Sequence, residues 1–360
     1  MSVSSISKSL KQMLSVFPVP DYLAMPSVGL SFSDNAIKFI EVMSKKTGLE
    51  LGRYGEEELS PGIIEAGNIK NPEALVVALQ KLRSAHGLKN VKATLPEEKA
   101  YLFRTEVSSG VETRLIRDSL EFKIEENVPV SANDTVFDYA IVKNSNSNKV
   151  TKMLEVFVTV VPIEVVNSYV EVIKKSGMLP ISFVVESIAI ARGVIKHEDP
   201  RDYLIINIDN KKTGFCIVSD GVVQFTSTLS FGSDDLKSSS VSVETKHKER
   251  QTFFHSPILS SLKEEIKKVY MYWITTPSSV SGDGGSKIKK IEKVIVCGRG
   301  AVEPDVFEYI SSSVPATFEK ANVWINAFSF KRYVPGIDAE QSLSYAAAAG
   351  LALPDHLRNN

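Results

Sequence analysis

The chain has 360 residues, of which 43% are hydrophobic and 24% charged, and its formal net charge is -1. This length exceeds what one hydrophobic core usually serves, so two lobes are expected. The near-neutral charge and the lack of a basic-aromatic stripe argue against nucleic-acid binding. No stretch reaches the roughly 18 consecutive apolar residues of a membrane-spanning helix, and no signal-peptide core is present, so the chain is expected to be cytoplasmic.

Residues 1–26 are predicted to form an amphipathic segment followed by a linker. Between residues 4 and 17, apolar side chains recur on one helical face, with Lys8 and Lys11 beside them. Such a face could touch a membrane surface, but a short helix packed on its own domain is the favoured interpretation. Pro18 ends this segment.

The folded body is predicted to open with three strands and a helix. Apolar alternation marks the strands SVGLSFS, AIKFIEVM and LELGRYGEEELS, with a turn at Ser33, Asp34 and Asn35 between the first two. Residues 72–86 begin with Pro72 and carry apolar positions at helical spacing, which predicts a helix.

Residues 91–180 are predicted to form an inserted α+β unit. VKATLPEEKAYLFRTEV gives two strands and TRLIRDSLEFKIEENV gives a helix. Two further strands, FDYAIVK and MLEVFVTVVP, precede the helix IEVVNSYVEVIKKSG, which ends at Gly177.

The rest of the chain, residues 181–360, is predicted to complete the first lobe and to build the second. A strand and a helix lead to the strand series YLIINIDN, KTGFCIVSDG and VVQFTSTLS, and a later buried strand ends in the glycine turn VIVCGRGA. Residues 237–256 and 275–289 are rich in Ser, Gly and Lys and are predicted to be long surface loops or partly disordered insertions.

The two cysteines do not indicate a metal site. Cys216 and Cys297 both lie within apolar runs, there is no CxxC motif, and the five histidines are scattered. Buried thiols in a reducing compartment are expected.

An internal repeat is the most informative feature of the sequence. Residues 28–42 and 205–218 can each be aligned as a strand, a short polar turn and a second strand. This repeat implies two equivalent halves.

The order of these elements, with the VCGRGA turn and the terminal AAAAGLAL, is similar to that of actin-like proteins. Three segments resemble the PilM family of type IV pilus assembly proteins more closely, namely ELSPGIIEAGNIKNPEALVVALQKL, IRDSLEFKIEENVPVSANDTVFDYAIV and VVNSYVEVIKKSGMLPISFVVESIAIARGV. The resemblance covers roughly residues 27–353. It implies an α/β, actin-like, duplicated ribonuclease-H-like fold of two lobes, with residues 27–90 opening the first lobe and residues 91–180 inserted into it.

The resemblance also implies where ATP and magnesium would bind, and the first of these positions is altered. A family hairpin with Asp-x-Gly reads Ser31, Phe32 and Ser33 here, so the carboxylate that orients magnesium-bound water is missing. Asp34 is expected to cap its own turn rather than to replace that carboxylate. Lys38 is retained, and it would either reach phosphate or face solvent as an ordinary strand lysine.

The second hairpin is altered as well. Asn207 keeps an oxygen ligand without the charge, and Asp209 replaces a glycine where an anion would be expected. Lys211 and Lys212 would compensate only partly.

The glycine turn is better preserved, with Gly298 and Gly300 admitting a nucleoside or serving packing alone. Glu265 matches a family acidic position facing the nucleoside, and Glu186 resembles the acidic residue near the attacking water. No catalytic or metal-ligating residue is assigned beyond Glu186.

These features favour a platform protein with weak or lost ATPase activity. The resemblance implies a cytoplasmic protein, peripheral on the inner membrane, that binds the cytoplasmic N-terminal tail of a PilN-type membrane partner and is able to self-associate. An active ATPase using Lys38, Glu186, Asn207 and the Gly298–Gly300 turn is the alternative. An FtsA-like division protein is a second alternative, although the tail after Leu353 is too short and polar for a membrane anchor.

Overall fold

The computed structural model describes residues 27–46, 48–108, 113–142, 153–238, 257–276 and 289–354. The predictions for residues 1–26, for most of the loops 237–256 and 275–289, and for the C-terminal tail therefore lie outside the described residues. Among the described residues, no helix combines the length and apolar character needed to cross a membrane.

The strands in chain order are β1 Val28–Phe32, β2 Ala36–Lys45, β3 Gly48–Glu58, β4 Ile64–Glu65, β5 Asn68–Ile69, β6 Asn90–Leu95, β7 Tyr101–Ser108, β8 Thr135–Ile141, β9 Met153–Pro162, β10 Leu179–Val185, β11 Asp202–Ile208, β12 Thr213–Ser219, β13 Val222–Leu229, β14 Ile291–Cys297 and β15 Thr317–Lys320. The helices are α1 Pro72–His86, α2 Thr113–Asn127, α3 Ile163–Lys175, α4 Glu186–Val194, α5 Ser233–Ser238, α6 Pro257–Thr275, α7 Pro304–Ser311, α8 Ala339–Ser342 and α9 Ala346–Ala352.

Two five-stranded sheets of the same topology form the body of the protein. The first has the order β10-β6-β1-β2-β3, and the second has the order β13-β12-β11-β14-β15. In each sheet three strands form an antiparallel meander, and the first of them also pairs in parallel with a later strand, β6 or β14. The duplication predicted from residues 28–42 and 205–218 is therefore confirmed, and the fold is the actin-like one.

Alternation along the strands explains how the sheets are layered. In β11, Leu204 and Ile206 face a core cluster shared with α6 and α7, whereas Tyr203 and Ile205 face a cluster shared with α4 and α9. In β1, Leu30 faces α1 and α3, and Gly29 lies against α9. Both faces of each sheet are therefore buried. Since α4 and α9 share one core cluster with strands of both sheets, they form a central layer between the two sheets.

A third sheet of order β7-β9-β8 forms a separate hydrogen-bonded unit and packs one face against α2. This unit spans residues 101–162. The prediction assigned residues 91–180 to the insertion, whereas β6 and β10 hydrogen-bond within the first large sheet. They belong there because their parallel pairing extends the first sheet next to β1. The domain division as a whole remains a proposal.

Candidate functional site in the interlobe cleft

A narrow cleft lies where the two lobes meet, at the turns that follow β1, β11 and β14. It is lined by Ser31, Phe32, Ser33, Ala36, Lys38, Glu186, Ile190, Asn207, Asp209, Gly298, Ser344, Ala346 and Ala347. Its volume is about 20 Å³.

The backbone amides of the first turn already have partners within the chain. The Phe32 amide donates to Thr94 Oγ1 at 3.0 Å, and the Ser33 amide donates to the Ala36 carbonyl at 2.9 Å. The Ala36 amide donates to Ser33 Oγ at 3.2 Å. These three amides are therefore committed to the turn itself, in a place where a phosphate-binding loop would present them to its ligand.

Asp34 faces away from this cleft. Its carboxylate accepts hydrogen bonds from the amides of Ala66 at 2.8 Å and Gly67 at 3.3 Å. Ala66 and Gly67 both have positive φ, 45° and 74°, in the turn between β4 and β5. Asp34 thus caps this neighbouring turn instead of its own, which corrects the prediction, and it supplies no carboxylate to the cleft.

Lys38 and Asp209 form an ion pair across the cleft. Lys38 Nζ lies 3.8 Å from Asp209 Oδ1, and the two side chains are only 6% and 9% exposed. Lys38 comes from β2 in the first sheet, and Asp209 follows β11 in the second. The interpretation of Lys38 as a solvent-facing strand lysine is therefore wrong, since its ammonium group points into the interlobe interior.

Lys212 makes a second connection and is held between two carboxylates. Its Nζ lies 2.7 Å from Glu186 Oε2 and 3.0 Å from Glu98 Oε1. Asn207 Nδ2 donates to the other oxygen of Glu186 at 3.4 Å. Burial alone would lower the pKa of Lys212, but attraction to Glu186 and Glu98 outweighs it and raises that pKa well above the usual value. Lys212 is therefore a charged link between these groups.

Glu186 begins α4 and is buried in the centre of this network. Burial raises its pKa to about 7, an effect that attraction to Lys212 opposes and repulsion from Glu98 and Asp209 reinforces. A carboxyl group with such a pKa changes its protonation state near neutral pH. The chemistry open to Glu186 is accordingly that of a proton acceptor or donor.

The two glycines of the VCGRGA turn are needed for packing. Gly298 has φ 84° and ψ 175°, and a Cβ atom there would lie 2.4 Å from the Ile208 carbonyl oxygen. A Cβ atom on Gly300 would lie 2.3 Å from Ile208 Cγ2. Only glycine lets this turn lie so close to the end of β11, so these residues have a structural role whether or not a nucleoside binds.

The structure brings four of the six predicted site residues together, namely Lys38, Glu186, Asn207 and Gly298. Gly300 follows in the adjoining turn but does not line the cleft. Glu265 lies on α6, where it accepts a hydrogen bond from Ser227 Oγ at 3.4 Å, and it also lies outside the cleft lining.

Sequence reasoning missed Glu98 and the pair of Arg299 with Glu56. Arg299 Nη2 lies 2.6 and 2.9 Å from the two carboxylate oxygens of Glu56, which joins the glycine turn to β3. Nothing in the local pattern of either acidic residue indicates a distant partner, because such contacts depend on how the lobes meet.

The charges in this cleft oppose the binding of a magnesium triphosphate. A carboxylate lies beside Lys38, and Lys212 is paired with two other carboxylates. Among the residues that the structure describes, no group of three or more His, Cys, Asp or Glu side chains could hold a metal ion.

Comparison with known proteins agrees with the fold. The family model described as type IV pilus assembly protein PilM matches residues 29–356. A structure of the PilM-PilN type IV pilus biogenesis complex is similar, with a TM-score of 0.71, 17% identity, and coverage of 91% of this chain and 98% of that one. The ethanolamine utilization protein EutJ from Carboxydothermus hydrogenoformans is similar at a TM-score of 0.50 and 12% identity, covering 96% of this chain and 98% of that one. A comparison with curated protein sequences gives no match.

Proposed function

Since this chain belongs to the family of type IV pilus assembly protein PilM, we propose that it is a platform that holds the cytoplasmic tail of a PilN-type membrane protein. The observation that carries the proposal is the family match, which extends over residues 29–356 and so includes both lobes and the inserted unit. The likeness to a chain of a PilM-PilN complex supports it, because a shared fold offers comparable surfaces.

The surface of the inserted unit supports a binding role. Leu115 and Phe122 are 53% and 75% exposed on α2, and Val136 is 44% exposed on the edge strand β8. Exposed apolar side chains and open sheet edges are each features by which protein surfaces take up a peptide or a second protein. We place the tail-binding site on the inserted unit and the adjoining first lobe.

The internal pairing of the cleft supports a platform that works without nucleotide turnover. Lys38 and Lys212, the buried cations nearest the cleft, are each bound to carboxylates of the same chain. The proposed location rests on the proposed partner: by holding a membrane protein's cytoplasmic tail, this protein would be peripheral on the cytoplasmic face of the inner membrane.

The test is a calorimetric titration of the full chain with a peptide of the cytoplasmic tail of the PilN-type membrane protein from the same organism. We expect binding that is equally strong with and without ATP and magnesium. A scrambled peptide of the same composition is the control. No binding of the native peptide, or equal binding of the scrambled one, would contradict the proposal.

Hydrogen exchange on the same complex locates the site. We expect the peptide to slow exchange within residues 101–175, where the inserted unit and α3 lie. Protection confined to β11–β15 would place the contact on the second lobe and would contradict the proposed site.

The second candidate is an active ATPase, which one observation favours. Glu186, with its pKa raised to about 7, lies in one cleft with Lys38, Asn207 and Gly298, as a proton-accepting residue of a hydrolase would. Magnesium-dependent release of phosphate from ATP that disappears in Glu186→Gln would establish this function. Its absence in both proteins would exclude it under those conditions.

A further inference from the structure

We propose that the Asp209 carboxylate is a built-in counter-anion for Lys38 that holds the two lobes closed without any nucleotide. In this view the chain supplies from its second lobe the negative charge that a bound anion would otherwise bring to the first. The inference goes beyond the platform function and is independent of which partner the platform holds.

The geometry of the pair is the first support. Lys38 lies on β2 of the first sheet, and Asp209 lies in the turn after β11 of the second. Lys38 Nζ is 3.8 Å from Asp209 Oδ1, and both side chains are almost fully buried. A buried ammonium group needs a nearby negative charge, because removing it from water is costly unless it is paired. Asp209 supplies this negative charge between the turn after β1 and the turn after β11.

Backbone hydrogen bonds fix the position of Asp209 in its turn. The Asp209 amide donates to the Lys212 carbonyl at 2.9 Å, and its carbonyl accepts from the Ser233 amide at 2.8 Å. The hairpin turn and the start of α5 therefore hold the backbone of Asp209 from both sides, so that pairing with Lys38 costs only side-chain conformational entropy.

Further contacts close the same cleft. Lys212, next to the Asp209 turn, reaches Glu98 beyond β6, and Arg299 reaches Glu56 on β3. Lys212 and Arg299 both lie in turns of the second sheet. Their partners lie in the first sheet, for Glu56, and in the segment after β6, for Glu98. These contacts need no external ligand, so the closed arrangement is available to the chain alone.

The test is anion rescue of Asp209→Ala. This change removes the charge and leaves space beside Lys38, so we expect the melting temperature to fall and to recover when phosphate or acetate is added at constant ionic strength. The wild type should show at most a small response to either anion. We expect the apparent affinity for the added anion to be at least about tenfold higher in Asp209→Ala than in the wild type.

The controls isolate the pair. Asp234→Ala removes a nearby carboxylate that pairs with the exposed Lys211 at 3.5 Å, and it should give no anion rescue. The double variant Lys38→Met with Asp209→Ala should lose the rescue, because the cation is gone. Equal stabilisation of wild type and Asp209→Ala, or rescue that persists without Lys38, would overturn the proposal.

A second measurement remains if Asp209→Ala does not fold. Asp209→Asn keeps the shape of the side chain, and spin labels at Val77→Cys and Glu308→Cys report the distance between α1 and α7. The native Cys216 and Cys297 are buried and should stay unlabelled. We expect a broader, longer distance distribution in Asp209→Asn than in the wild type, and an unchanged distribution would overturn the proposal.

Discussion

Glu186 shows how burial and pairing oppose each other at one residue. It lies at the start of α4, its carboxylate is 2.7 Å from Lys212 Nζ, and its pKa is nevertheless raised to about 7 because it is buried. The folded protein therefore binds a proton here more tightly than the unfolded chain, whose glutamate has the ordinary value of 4.5. Stability from this group is full below pH 4.5 and is lost as the pH rises through about 7.

We predict that Glu186→Gln removes this pH dependence. Glutamine has no proton to exchange, so the free energy of unfolding relative to wild type should increase between pH 5 and pH 8, by at most about 3 kcal/mol. Denaturant titrations at both pH values measure the difference. Glu171→Gln, at an exposed carboxylate paired with Lys175, is the control and should keep the wild-type slope. A Glu186→Gln protein with that same slope would show that Glu186 does not titrate near neutral pH.

At the scale of an element, α9 is distinguished by how closely its backbone approaches its neighbours. A Cβ atom on Gly350 would lie 1.8 Å from the Ala189 carbonyl oxygen of α4, and one on Gly29 would lie 2.0 Å from the Ala348 carbonyl oxygen. Small residues therefore allow α4, α9 and β1 to pack backbone against backbone. The small residues of the run AAAAGLAL therefore allow the close packing of the central layer.

We predict that Gly350→Ala destabilises the protein by about 2 kcal/mol or more, since the added methyl group meets rigid backbone. Helix propensity alone predicts the opposite sign, a gain of about 1 kcal/mol. Gly336→Ala is the control and should be nearly neutral, because nothing lies within 4 Å of the added Cβ atom. Denaturant midpoints of the two variants decide the matter, and a stabilised Gly350→Ala would refute the close packing.

At the scale of the whole molecule, the lobes are joined by charges that the sequence places far apart. Two adjacent lysines differ in burial and in partners: Lys212 is 13% exposed and bridges Glu98 and Glu186, whereas Lys211 is 55% exposed and pairs with Asp234. The difference arises because the turn after β11 directs one side chain into the cleft and the other towards solvent.

This contrast gives a matched prediction. Lys212→Met should reduce the free energy of unfolding at pH 8 by about 3–5 kcal/mol, because two buried carboxylates lose their cation. Lys211→Met should change it by less than about 1 kcal/mol, as for other exposed pairs. Thermal and denaturant unfolding measure both. Equal effects of the two substitutions would show that burial of Lys212 has no energetic consequence.

Local patterns were sufficient to predict most elements and the duplicated topology. The periods of two and 3.6 residues come from backbone geometry, so the strands of residues 28–42 and 205–218 and the helix of residues 72–86 could be predicted from the chain alone. The glycines of the VCGRGA turn and the altered hairpin residues Ser31 and Asp209 were also visible there. Their spacing is local, and it needs no knowledge of the other lobe.

The chain alone determined which residue types stand at each turn, and the tertiary structure decided what they do. Lys38 with Asp209, Lys212 with Glu98, and Arg299 with Glu56 are 171, 114 and 243 positions apart along the chain. Their pairing depends on two sheets meeting across a buried layer of helices, and so does the loss of water that makes each charge need a partner. Sequence patterns record which side chains are charged, whereas burial and proximity exist only once the lobes have packed together.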